Sequence, residues 1–79
     1  MTPATFARHV LMNLRARGEA RTPVRFWIGS TGTGQTPNYQ VQFSDGSVQT
    51  YHHGGTPHAA GSFHPSRLEG PFPLPSAAP

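Results

Sequence analysis

Tyr39-Gln40-Val41-Gln42-Phe43-Ser44-Asp45-Gly46-Ser47-Val48-Gln49-Thr50-Tyr51-His52 decides the fold, because two alternating runs flank an Asp-Gly pair. Apolar and polar residues alternate with period two on each side, as a half-buried strand requires. Asp-Gly between such runs predicts a two-residue type I′ turn, whose central residues both take positive φ. That turn sets Phe43 opposite Val48, Val41 opposite Thr50 and Tyr39 opposite His52, with Gln42 facing Gln49 and Gln40 facing Tyr51. One face of the expected hairpin is then apolar. The other presents Gln40, Gln42, Gln49 and Tyr51, and a slip of one residue would reverse the assignment.

Upstream, Val24-Arg25-Phe26-Trp27-Ile28 follows a Thr-Pro boundary and is β-branched and aromatic, as strands are. Its alternation puts Val24, Phe26 and Ile28 on one face and Arg25 and Trp27 on the other. Between this strand and the hairpin, residues 29–38 have the glycine, serine and threonine content of a loop. Further back, a helix is expected from Pro3 to Arg17, with Thr2 as N-cap, Pro3 at the first helical position and Gly18 as the stop. Phe6, Val10, Leu14, Ala7, Leu11 and Ala4 share one arc and form its core-facing stripe. Arg8, Met12 and Arg15 fall at one edge of the opposite face, and His9, Asn13 and Ala16 at the other.

Downstream, Ser62-Phe63-His64-Pro65-Ser66-Arg67-Leu68 offers Phe63 and Leu68 for docking on the sheet. From Gly70 to Pro79 a proline- and alanine-rich stretch predicts a flexible tail, with little to bury beyond Phe72 and Leu74. The 79 residues thus divide into a single domain over 1–69 and a tail over 70–79. The expected class is α+β, an N-terminal amphipathic helix packed on a three- or four-stranded antiparallel sheet or partial small barrel.

Cysteine is absent, which excludes disulfides and thiolate metal sites. No apolar run is long enough to cross a bilayer, so no membrane partner is expected and a cytoplasmic setting is the default. The net charge is +3, and all six cations are arginine. Guanidinium is the better bidentate partner for phosphate and carboxylate, although biased codon usage also produces a lysine-poor, alanine- and proline-rich chain. Five of the six arginines, Arg8, Arg15, Arg17, Arg21 and Arg25, lie in the first third of the chain. A positive patch contacting phosphates or carboxylates follows from that clustering. Trp27 and Tyr51 are the aromatics available for stacking on bases.

Other constellations carry less chemistry. His52, His53, His58 and His64 cluster without cysteine or a helical spacing, so exposed loop histidines are expected rather than a metal site. Ser30-Thr31-Gly32-Thr33-Gly34 has glycines suited to an anion, but neither the lysine nor the following helix of a phosphate loop. The three acids Glu19, Asp45 and Glu69 form no catalytic pair. No enzyme and no cofactor are expected.

The segment from Tyr39 to Tyr51, with Arg67-Leu68-Glu69 after it, resembles the central hairpin and final short strand of SH3-like small barrels, the Tudor-like modules among them. The resemblance covers about a third of the chain and implies a module that binds nucleic acids, peptides or proteins. Within it, Val48-Gln49-Thr50-Tyr51 is similar to the Val-Gln-Ile-Tyr motif of plasmid-type dihydrofolate reductases, which implies folate and nicotinamide contacts for Gln49 and Tyr51. The chain departs from that family in lacking lysine and the Trp-Gln-Gly sequence and in carrying a leading helix. The expected function is therefore binding, through Arg8, Arg15, Arg17 and Arg25 with Gln40, Gln42, Gln49 and Tyr51. The leading partner is nucleic acid or a nucleoprotein. The rival is an acidic protein surface, as for a small mobile-element inhibitor or adaptor that blocks a host defence enzyme.

Overall fold

A computed structural model describes residues 2–29, 37–58 and 68–75. The helix, α1, spans Pro3–Ala16. Thr2 caps it, its Oγ1 accepting from the Thr5 amide at 3.2 Å. At the other end Gly18 turns left-handed at φ 69, its amide donates to Arg15 O, and the Glu19 amide donates to Leu14 O. These paired bonds satisfy carbonyls that the helix end would otherwise leave bare.

Five strands follow: β1 Pro23–Gly29, β2 Asn38–Phe43, β3 Val48–Tyr51, β4 Pro57–His58 and β5 Leu68–Pro73. They form one antiparallel open sheet of order β4-β3-β2-β1-β5, so the strand count among the described residues is five rather than three or four. The first four make a meander, and β5 returns to lie beside β1. The tail expected from Gly70 is thus corrected. Gly70 to Pro73 complete β5, and Leu74 beyond them is only 8% exposed. Prolines are tolerated there because β5 is an edge strand whose outer N–H positions need no partner.

The central hairpin differs from expectation by one residue. Phe43 N donates to Ser47 O and Gly46 N to Phe43 O, enclosing the three-residue loop Ser44-Asp45-Gly46. Positive φ occurs at Gly46 (88°) and, among the described residues, at no residue other than glycine. This is a type I turn closed by a left-handed glycine, not a type I′ turn. The β3–β4 hairpin repeats the device: His52 N donates to Thr56 O, Gly55 N to His52 O, and Gly55 has φ 99. Register shifts accordingly, with Tyr39 opposite Tyr51, Gln40 opposite Thr50, Val41 opposite Gln49 and Gln42 opposite Val48.

α1 covers one face of the sheet with Phe6, Ala7, Val10 and Leu14, against Phe26, Tyr39, Val41, Phe43, Tyr51 and Leu74. Phe6 stacks on Phe26 at 5.9 Å between centroids, and Phe26 meets Phe72 of β5 at 5.4 Å. Ala4, expected in the stripe, is exposed, because a hollow rather than a packed side chain lies between it and Phe72 and Leu74. Of the expected alternation in β1, Phe26 does face the core and Arg25 is exposed, with a bulge between Pro23 and Arg25. Phe63, His64 and the glycine-rich phosphate-loop candidate at 30–34 lie outside the described residues.

Candidate binding surfaces

The register decides where the expected site residues go. Residues opposite one another in an antiparallel pair share a face. Gln40 and Gln42 therefore lie with Thr50 and Val48 on the face turned away from α1, while Gln49 and Tyr51 lie on the helix side with Val41 and Tyr39. The single polar face of Gln40, Gln42, Gln49 and Tyr51 does not exist. Tyr51 is 3% exposed and stacks on Tyr39 at 5.3 Å, so its ring is core. Burial pushes both phenols above their ordinary range. The Gln49 amide donates to Thr50 O and His58 O, tying β4 to the sheet. Gln49 and Tyr51 are thus engaged in the fold, and both border a hollow of about 200 Å³ with Leu14, Arg17 and Pro57.

The arginines separate as well. Arg25 stands on the outer face of β1, where its guanidinium donates to Gln42 Oε1 at 2.6 Å. Beside it Trp27 pairs with Gln40, and both are half-buried. The buried Thr50 adjoins this row, between Gln40 of β2 and His58 of β4. Arg17 caps α1 and donates to Thr56 Oγ1 at 3.2 Å, bridging the helix end to the β3–β4 hairpin. Arg8 and Arg15 are exposed on α1 and make no ion pair or hydrogen bond among the described residues.

Arg21, part of the expected cluster, is committed elsewhere. It forks both Glu19 oxygens at 2.6 and 3.0 Å, donates to Ser47 Oγ and lies 3.9 Å over the Phe43 ring. The guanidinium beside Glu19 holds that carboxyl down at about 2. Asp45, accepting from the Ser47 hydroxyl and amide, is also held below its ordinary range. Two of the three acids are therefore spent on local structure.

A polar cluster that apolar periodicity does not register joins α1 to the sheet. His53 O accepts from His9 Nε2 at 2.5 Å and from Asn13 Nδ2 at 3.1 Å, and Asn13 Nδ2 also donates to Tyr39 Oη at 3.1 Å. A carbonyl cannot donate, so His9 Nε2 carries the proton, and the nearby Asn13 Nδ2 finds no acceptor there. The His53 ring stacks on His9 at 4.3 Å and donates from Nδ1 to Pro37 O. Instead of an exposed loop histidine, His53 is a half-buried joint, while His52 and His58 meet at 4.1 Å across the β3–β4 hairpin. Among the described residues no group of three or more potential ligands could hold a metal ion. None of the helices there is long and apolar enough to cross a membrane.

No family model, curated protein or solved structure matches this chain.

Proposed function

We propose that the chain is a non-catalytic binding module that contacts nucleic acid with the sheet face turned away from α1. The observation that carries this reading is the row Arg25, Gln42, Trp27 and Gln40 on adjacent strands, where a cation, two amides and an indole adjoin. Arg25 spends one of its five donors on Gln42 and keeps the rest for phosphate oxygens. The indole supplies a stacking surface, and the two amides supply donors and acceptors at the height of a base edge. Arg8, Arg15 and Arg17 add long-range attraction without sharing the contact. A meander whose last strand returns beside the first also supports the SH3-like resemblance.

Trp27 is the sole tryptophan and reports directly on this surface. Titration with single-stranded DNA and RNA should quench its fluorescence, and affinity should fall about tenfold or more from ~50 to ~200 mM salt. Arg25→Ala should weaken binding several-fold. Salt-independent affinity, or full affinity in Arg25→Ala, would sink the proposal.

A further inference from the structure

On the other side of the molecule, α1 and the chain leaving β5 enclose a trough made of two hollows that share Pro75. The larger, about 460 Å³, lies between Ala4, Ala7 and Arg8 on α1 and Phe72 and Leu74 opposite. The smaller, about 340 Å³, continues past Leu11 and Leu14 to Arg15. The floor is largely apolar, with Arg8 at the larger hollow and Arg15 and the Glu19-bound Arg21 at the smaller.

α1 contains no acidic residue, and Arg8 and Arg15 have no counter-ion among the described residues. Glu19 also borders the smaller hollow, but both its oxygens are held by Arg21. Met12, 70% exposed, extends the apolar surface between the two arginines on the outer side of the helix. Seven residues of helix set the two cations about 10 Å apart along the axis. We infer that this trough docks an acidic, amphipathic peptide segment of a protein partner, its apolar side chains on the Leu11–Leu74 floor and its carboxylates on Arg8 and Arg15. Charge complementarity selects the partner: Arg8 and Arg15 on the rim are uncompensated among the described residues, while the floor is largely apolar and the lone hydroxyl of Thr22 gives little to read a base edge. An exposed surface rich in arginine and methionine also has the composition of interface cores rather than of ordinary solvated surface.

The surface is distinct from the row on the outer sheet face, so the two proposals fail separately. With the full chain, a short fluorescent peptide repeating Glu-Leu-Leu should bind in an anisotropy titration, whereas Lys-Leu-Leu and Glu-Ser-Ser repeats should not. The double variant Arg8→Glu, Arg15→Glu should weaken binding at least tenfold. Ala4→Trp, which fills the open end from an exposed position, should do the same. All three sites are exposed, so unchanged thermal unfolding will show that the fold is intact. Arg25→Ala should leave peptide affinity untouched. The inference is overturned if the acidic peptide fails to bind, if the basic repeat binds as well, if neither variant matters, or if a single-stranded oligonucleotide displaces the peptide.

Discussion

The carbonyl oxygen of His53 accepts from two helix side chains, His9 and Asn13, and so fixes how far α1 can slide along the sheet. Asn13 is the more exacting partner, because its second proton goes to the Tyr39 hydroxyl deep in the core. Asn13→Ala should destabilise the protein by about 2 kcal/mol in urea denaturation, since it strips a partner from a buried hydroxyl and a turn carbonyl together. Tyr39→Phe should cost about 1 kcal/mol, and the double variant less than the sum of the two. Glu19 gives a second residue-scale expectation. Its carboxyl is lowered from 4.5 to about 2 in the folded chain, so its contribution is complete above pH 4.5 and lost as pH falls towards 2. Stability measured across that window should therefore decline, and Glu19→Gln should flatten that part of the profile.

At the scale of elements, local chemistry was legible in the sequence and pairing was not. The helix limits followed from Thr2, Pro3 and Gly18, whose effects act within one turn. Register depended on whether Asp45 or only Gly46 adopts positive φ, and both loops satisfy an Asp-Gly pair. That one-residue difference moved Gln49 and Tyr51 to the core side and dissolved the expected polar face. His9 and Asn13 were invisible for another reason: their burial rests on hydrogen bonds to a turn more than 35 positions away. The Gly-Gly-Thr at 54–56 was the available sign of that turn. The two hairpins also allow a comparison. Ala at either Gly46 or Gly55 incurs roughly 1–2 kcal/mol of left-handed strain. At Gly46 the added carbon meets nothing within 4 Å, whereas at Gly55 it falls 3.0 Å from Asn13 Cβ. Gly55→Ala should therefore lower Tm more than Gly46→Ala, and equal losses would show that Asn13 can yield.

For the molecule as a whole, β5 is the element that proline content disguised. Its partner β1 lies some 45 positions earlier, and no local pattern announces a pairing of that range. Phe72 and Leu74 join the Phe6–Phe26 cluster from there. Removal of residues 70–79 should abolish the cooperative unfolding transition in calorimetry, because it takes away four of the six residues of an edge strand and part of the core. A sharp transition in the shortened chain would mean that helix and meander suffice alone.

The return of β5 also has a meaning during synthesis. Until Leu68–Pro73 has left the ribosome, the outer edge of β1 stands unpaired, presenting a row of bare amides and carbonyls beside a hydrophobic face. α1 and the hairpins have by then emerged, so the nascent chain passes through a stage at which any other extended segment is a competing partner. The arrival of β5 is what ends this exposure, and crowded translation of the message is the circumstance in which chains would cross-pair.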